Sequence, residues 1–356
     1  MYTEDDLRQA VASGAISADA ADALRESVRQ TREAPATDEE HFRLINSFND
    51  IFVTIAAVLL LVAMGGIGDA LWPVSDGPSP LAGLLVAGAA WGMAEYFTLQ
   101  RRMALPSIVL LLAFVGGVFA TLIGLIVASF GGDNFDQNQV LAGLLVSGAA
   151  LATAISAWVH WRRFMVPITV AAGAASLAVT AIALVATGIG PDNLNENTIL
   201  MLVFTAGLVI FGFAMRWDIS DRERQTRRSD VAFWLHLIAA PMIAHPIFAL
   251  IGVTDGDNIG VSAAVAVLAV YIAFGLVALA IDRRALLVSA LAYVLFALTF
   301  LFDRFGAVEL NVALTALVIG SALLTLSAFW TPIRRAVVQP LPQDLQARLP
   351  ITAAAT

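Results

Sequence analysis

Apolar residues in this 356-residue chain collect into ten long runs separated by short polar stretches. Each run is about 17–25 residues long, the length of an α-helix that crosses a bilayer. Because helices satisfy all of their backbone hydrogen bonds within lipid, the pattern predicts an all-α, polytopic bundle of about ten transmembrane helices. The predicted spans are 50–68, 80–98, 105–130, 139–159, 164–188, 198–216, 231–253, 259–281, 285–301 and 308–329.

Composition excludes several classes of protein. Hydrophobic residues make up 59% of the chain and charged residues 13%, whereas a soluble domain carries about 25% charged residues. The chain has no cysteine, which excludes disulfides, thiolate metal sites and iron–sulfur clusters. All 20 basic residues are arginine, so chemistry that needs a lysine amine, such as a Schiff base or a P-loop, is excluded as well.

Arginines follow alternate runs and thereby predict the orientation. The pairs or groups are Arg101–Arg102, Arg162–Arg163, Arg222–Arg228, Arg283–Arg284 and Arg334–Arg335, whereas the opposite loops hold only Arg304. Arginines concentrate in cytoplasmic loops, so this pattern predicts that both termini are cytoplasmic.

The chain also repeats itself. LAGLLVAGAA at 81–90 differs at one position from LAGLLVSGAA at 141–150, and AGLVIFG at 206–212 is a weaker copy. Each copy leads through arginines into a second helix and then to an Asp-Asn pair. We therefore predict tandem helical-hairpin repeats near 80–134, 140–193 and 204–258, all in the same orientation.

The Asp-Asn pairs mark the predicted outer turns of these repeats. They are Asp133-Asn134, Asp192-Asn193 and Asp257-Asn258. We expect solvated turns, with an oxygen-ligated divalent cation as the alternative.

The string Gly66-Ile67-Gly68-Asp69 matches the GxGD motif of intramembrane aspartyl proteases, which need a second membrane aspartate. No aspartate lies in the interior of a predicted span, so we interpret this string as an outer turn.

The polar residues before the first span predict a cytoplasmic leader and linker over residues 1–47, followed by a transmembrane domain over 48–330. Two short helices are expected within residues 1–33, with Gly14 ending the first and Ser17 capping the second. A small apolar seam consists of Leu7, Val11, Ile16, Leu24 and Val28. Because so small a seam does not fold robustly alone, we expect it to bind a protein partner or a second copy. Residues 331–356 are punctuated by proline and are predicted to be disordered.

The junction Gly14-x-Ile16-Ser17, followed by an Ala/Leu helix, a linker and many spans, resembles a family of bacterial multi-pass membrane proteins of unknown function. The resemblance implies a bacterial inner-membrane location and a two-helix leader. It assigns no functional residues.

Few polar groups fall inside the predicted spans, where ionisable groups are costly and mark sites. His236 and His245 lie in the seventh span beside Pro241 and Pro246. Nine residues at 100° per residue place the two histidines on opposite faces. We expect a packing role for each, with a proton or substrate contact at His245 as the alternative.

Two further polar candidates lie where spans meet the predicted cytoplasmic interface. Glu95 precedes the pair Arg101–Arg102 and is expected to form an interfacial ion pair with it. Asn49 and Asp50 begin the first span, as helix caps or as a cytoplasmic gate.

Three hypotheses of function follow. The first is a non-catalytic accessory, scaffold or sensor protein that acts through its leader. The second is a transporter or channel for a small neutral or apolar solute. The third is a membrane enzyme that acts on lipid through His160 or His236. We expect the lipid bilayer and a protein as partners, and no catalytic residues, cofactor, metal or nucleic acid.

Overall fold

The computed structural model describes residues 4–24, 48–131, 138–224, 226–252, 260–304 and 310–351. Within these ranges the chain is helical and has no strand. Ten helices are long and apolar enough to cross a membrane. This confirms the predicted all-α class, the ten spans and the multi-pass membrane type, whereas the orientation of the termini stays a prediction from the arginines.

We number the spanning helices in chain order. They are α1 (Phe48–Leu71), α2 (Pro80–Ala94), α3 (Ala104–Phe130), α4 (Gln139–Phe164), α5 (Ile168–Ile189), α6 (Glu196–Ile219), α7 (Arg227–Ile251), α8 (Val261–Ile281), α9 (Ala285–Arg304) and α10 (Asn311–Ala328). A π-helix, Glu95–Gln100, continues α2. Two short helices, α11 (Trp330–Val338) and α12 (Gln343–Gln346), follow the last span.

Consecutive helices pair most extensively as α2 with α3, α4 with α5 and α6 with α7. These are the pairs that the sequence predicts as hairpins, although their relation as repeats stays a prediction. The turn within each of these three pairs lies at the same end of the bundle as the turn between α8 and α9. We call it the arginine-rich end.

The glycine nearer the start of each repeated segment lies where two helices cross closely. A methyl group added at Gly83 would overlap backbone atoms of Thr121 and Gly117 on α3. Gly143 and Gly207 similarly approach the partner helices α5 and α7. The later glycines of the same segments, Gly88, Gly148 and Gly212, have no neighbour within 4 Å of an added methyl group. Small residues allow helix backbones to approach in lipid, so one glycine of each pair serves packing.

The GxGD string lies near the end of α1. A methyl group at Gly68 would overlap the backbone of Leu81 and Ala82 on α2, and the Ser79 hydroxyl donates to the Gly68 carbonyl at 3.2 Å. Asp69 is exposed. The glycine therefore brings α1 against α2, and the string ends a helix instead of forming a separate turn.

Helix α7 lies at the centre of the larger core and contacts α5, α6, α8 and α9. Leu235 and Phe248 of α7 are fully buried, and the Phe248 ring stacks on Tyr293 of α9 with centroids 4.3 Å apart. Pro241 and Pro246 lie within α7, which continues through both of them. Neighbouring helices tolerate such prolines in membranes. Helix α7 therefore has no break at either proline.

The leader belongs to a separate compact unit, residues 1–44, whereas residues 45–356 form the other. The first leader helix spans Glu4–Ala12 and is followed by Gly14 at φ +71°. Ser17 Oγ accepts a hydrogen bond from the Ala20 N–H at 3.1 Å and so caps the second helix. Both are the predicted boundaries. Val28 of the predicted seam lies outside the described residues.

Candidate functional site

A group of charged residues is buried at the arginine-rich end. Asp218 lies in the last turn of α6, where the negative end of the helix dipole disfavours a carboxylate. Arg283, in the turn after α8, donates from Nη2 to Asp218 Oδ1 at 2.6 Å. His236 of α7 donates from Nε2 to Asp218 Oδ2 at 2.9 Å. The three residues are each at most 3% exposed. One buried carboxylate therefore joins three separate parts of the chain.

A second buried carboxylate, Asp282, lies beside the first group. Its Oδ2 accepts from Arg224 Nη1 at 2.7 Å, and its Oδ1 accepts from the Trp330 indole N–H at 2.6 Å. Asp282 and Arg224 both have positive φ, +58° and +53°. The backbone therefore turns sharply at both residues, which aims their side chains at each other.

Arginines at this end also hold the C-terminal segment. Arg334 on α11 is 1% exposed and donates from Nη2 to the Pro350 carbonyl at 2.8 Å. Arg222 donates from Nε to the Leu349 carbonyl at 2.8 Å. The prediction that residues 331–356 are disordered is therefore wrong for the described residues 331–351. They fold because their carbonyl oxygens accept hydrogen bonds from the buried Arg334 and the half-buried Arg222. Buried guanidinium groups would be costly to leave unpaired.

These side chains form what we call the charge cluster. Its members are Asp218, Arg224, His236, Asp282, Arg283 and Arg334. Burial, together with the nearby Arg283, lowers the pKa of the Arg224 guanidinium, while the two aspartates oppose this effect. Two carboxylates face three guanidinium groups, and backbone carbonyls and the Ser229 hydroxyl accept further hydrogen bonds. Among the described residues, Arg224 Nε and His236 Nδ1 have no hydrogen-bond partner. The arrangement links α6, α7, α8 and α11 at one end of the bundle.

A matched pair of substitutions tests whether Arg334 keeps the C-terminal segment folded against the bundle. Arg334→Met is expected to accelerate tryptic cleavage after the exposed Arg348 by about tenfold or more, since charge-assisted hydrogen bonds to the segment are lost. Arg228→Met, at an exposed arginine of α7, is the control and should leave the cleavage rate unchanged. Equal rates for the two variants would mean that Arg334 does not hold the segment.

The four predicted site residues of α7 lie in different surroundings. His236 belongs to the charge cluster. His245 is exposed, and its Nδ1 accepts from the Tyr293 hydroxyl at 2.6 Å. Pro241 is exposed and Pro246 is buried. The structure therefore does not bring His236 and His245 together, in agreement with their spacing.

Glu95 pairs with an arginine other than the expected ones. Arg163 of α4 donates from Nε and Nη2 to the two Glu95 carboxylate oxygens at 3.0 and 2.8 Å. The expected ion pair with Arg101 or Arg102 is not formed, because the π-helix that starts at Glu95 changes the register before those arginines. Arg101 instead donates to the Tyr96 hydroxyl.

Asn49 and Asp50 line a cavity of about 390 Å³ at the arginine-rich end of α1. Its other lining residues come from α1, from the π-helix and from the turn after it: Val53, Tyr96, Phe97, Arg101 and Met103. The Asp50 side chain is buried, whereas Asn49 is exposed. The structure thus brings two predicted residues of α1 together with an arginine of the next turn.

The outer Asp-Asn pairs are described in one copy only. Asp192 and Asn193 lie in a short 3-10 helix, and Asn193 donates from Nδ2 to the Ile189 carbonyl at 3.1 Å. The other pairs, Asp133-Asn134 and Asp257-Asn258, lie outside the described residues. Within the described ranges, no group of three or more histidines and carboxylates is placed to hold a metal ion.

No family model, curated protein or solved structure matches this chain. The proposed function therefore depends on the geometry alone.

Little in the sequence indicates the charge cluster. Asp218 and Arg283 are 65 positions apart, and each lies next to the polar end of an apolar run, where solvated interfacial charges are normal. The available signal is that Asp218 and Asp282 are acidic residues that directly follow apolar runs at the arginine-rich end. Acidic residues at such positions suggest buried pairing.

Proposed function

We propose that this chain is a non-catalytic multi-pass membrane protein that acts as an accessory, scaffold or sensor and binds a partner protein through its leader. The charge cluster carries the proposal. Its buried charges bond to one another and to backbone carbonyls, so they fix helix ends and the C-terminal segment in place. Helix ends that are held in fixed positions in this way suit a protein that positions a partner.

The surroundings of the histidines favour this proposal over a lipid-modifying enzyme. His236 is buried against Asp218 and the edge of Phe211. His160 is 1% exposed and lies among aromatic rings whose centroids are 4.5–5.8 Å away. Neither imidazole is open to a lipid headgroup, and a general acid or base must reach the proton that it transfers.

The geometry of α7 also favours this proposal over a transporter. A proton or substrate contact at His245 would require that this side chain face a cavity within the bundle. Instead, His245 is an exposed side chain bonded to Tyr293, on a helix that runs without a break. A hydrogen bond between two neighbouring helices serves packing.

Removing residues 1–40 tests the proposal. The partner that co-purifies in stoichiometric amount with the full chain, in mild detergent, should be lost, whereas the helical content of the bundle stays the same because residues 1–44 are a separate compact unit. The measurement is affinity purification followed by mass spectrometry, together with circular dichroism.

A point variant tests partner binding at a single residue of the leader. Leu24 is an exposed apolar residue of the leader, so Leu24→Asp should abolish binding of the same partner, whereas Asp19→Asn, at an exposed polar position, should retain it. If the same proteins co-purified with and without the leader, the proposal would be wrong. Solute uptake by liposomes that contain the purified chain would favour the transporter instead.

A further inference from the structure

An apolar groove lies between α5 and α6. Helix α5 packs mainly on α4, and α6 packs mainly on α7, so these two neighbouring helices belong to different hairpins. The groove has a volume of about 380 Å³, which lies within the range of small-molecule sites, about 300–1,000 Å³. It shares no residue with the charge cluster, and the proposed function does not use it.

Short side chains leave this groove open. Ala174, Ala178 and Ala181 line it from α5, and Ala206 lines it from α6. Because alanine extends by only one carbon, the two helices leave a space that larger residues would fill. Ala178 and Ile210 of the lining are buried in the main core, whereas Ala181 is exposed. The groove is therefore closed on the core side and open towards the bilayer.

The lining of the groove suits an apolar occupant and not water. Thr205 carries the one hydroxyl among the lining residues, and this hydroxyl donates to the Met201 carbonyl of its own helix at 2.8 Å. All other lining side chains are hydrocarbons. A buried water needs several polar partners, and an empty apolar space would lose van der Waals contacts. An apolar chain from the bilayer satisfies the groove.

The groove runs along the helix axis for about the length of one acyl chain. On α6 its lining extends from Leu202 to Phe213, which corresponds to about 16 Å at the rise of an α-helix. The hydrocarbon core of a bilayer is about 30 Å thick, so one leaflet contributes about half of that depth. The length of the groove therefore suits a single acyl chain.

Arg216 continues the groove face of α6 towards the arginine-rich end. At about 100° per residue it falls within the angular range of Leu202, Val209 and Phe213, about one turn beyond the last of them. The ring of the next residue, Trp217, meets the Phe213 ring edge to face with centroids 6.2 Å apart. Arg216 is exposed, and its side chain has no hydrogen bond or ion pair with any residue that the structure describes. A guanidinium and an indole thus lie at the end of the groove, where headgroups meet the bundle.

We propose that this groove binds one phospholipid of the leaflet at the arginine-rich end, with an acyl chain along the groove and the phosphate on Arg216. The planar guanidinium donates two parallel hydrogen bonds to the phosphate oxygens, a geometry that arginine favours. The acyl chain fills the space that the alanines leave between α5 and α6. The lipid is then a structural part of the bundle and joins its second and third hairpins.

Native mass spectrometry of the full chain in mild detergent tests this site. The probe is an equimolar mixture of phosphatidylglycerol and diacylglycerol with identical acyl chains. The wild-type protein should retain one phosphatidylglycerol and about tenfold less diacylglycerol or lower, because the latter has no phosphate to accept charge-assisted hydrogen bonds. Equal retention of the two lipids would contradict the proposal.

Substitutions of arginine test the phosphate contact. Arg216→Gln should reduce the retention of phosphatidylglycerol to that of diacylglycerol, whereas Arg216→Lys should retain part of it, since an ammonium keeps the charge without the paired hydrogen bonds. The matched control, Arg228→Gln, changes an exposed arginine of α7 at the same end and should bind as the wild type does. An equal loss in the two glutamine variants would overturn the proposal.

A substitution that fills the groove tests the acyl-chain contact separately. Ala181→Phe places a ring in the groove and should reduce the retention of both lipids, and elution in gel filtration reports whether the variant is folded. Ala292→Phe, at an exposed alanine of α9 outside the groove, should bind as the wild type does. If Ala181→Phe instead removed a second copy of the chain and left the bound lipid unchanged, the groove would be a contact between copies and the proposal would be wrong.

Discussion

Asp218→Ala is expected to lower the free energy of unfolding by about 3–5 kcal/mol, the cost of breaking a buried ion pair. The variant leaves Arg283 buried without its carboxylate and removes the acceptor of His236, although both side chains stay inside the bundle. The measurement is reversible unfolding of the purified chain in mixtures of mild detergent and sodium dodecyl sulfate.

Glu95→Ala is the matched control, because it also removes a carboxylate that binds an arginine bidentately. The Glu95–Arg163 pair is open to solvent, with side chains 35% and 52% exposed, so water screens its attraction and the loss should be much smaller. A decrease for Asp218→Ala no larger than that for Glu95→Ala would show that the charge cluster does not stabilise the fold.

A double-mutant cycle between Asp218 and Arg283 separates pairing from burial. Replacing both residues by apolar side chains, as in Asp218→Leu with Arg283→Met, should restore much of the stability lost in the single variant Asp218→Leu, because neither partner remains as an unpaired charge. Purely additive losses would mean that the two residues act independently.

Gly83→Ala is the substitution with the second largest expected effect. Its new methyl group would overlap backbone atoms of α3, which cannot rotate away as a side chain could. Helices α2 and α3 would have to separate, and overpacking of this kind costs about 1–3 kcal/mol. The same unfolding measurement detects it.

Gly88→Ala is the internal control for this prediction, because Gly88 is in the same helix and has no neighbour within 4 Å of an added methyl group. It should be neutral or slightly stabilising, since alanine has the higher helix propensity. Equal losses at both positions would indicate a general sensitivity of α2 and not a close crossing with α3.

The spans and several local features could be predicted from the sequence. The ten helices follow from the length of the apolar runs, and the leader boundaries at Gly14 and Ser17 follow from glycine and serine chemistry. The ion pair at Glu95 could be anticipated only in part. Its partner, Arg163, is 68 residues away, and the π-helix that redirects the local chain has no recognisable sequence signal.

The sequence likewise indicated only some of the residues that line the cavity. Asn49 and Asp50 stand out as polar residues at the start of a span, but the sequence does not relate them to Arg101, about fifty residues later. The disorder predicted for the C-terminal segment failed for the described residues for a related reason. Prolines and polar residues indicate disorder locally, whereas the buried Arg334 and the half-buried Arg222 donate hydrogen bonds to the carbonyl groups of that segment.

The sequence by itself determined that this protein is a bundle of ten apolar helices with arginines at one end, because the transfer of each run into lipid depends on its own residues alone. Only the tertiary structure decided which charges are buried, which glycines lie at crossings and which polar residues meet in a cavity. Those outcomes depend on groups far apart in the chain, whose free energy changes only when packing removes water from between them.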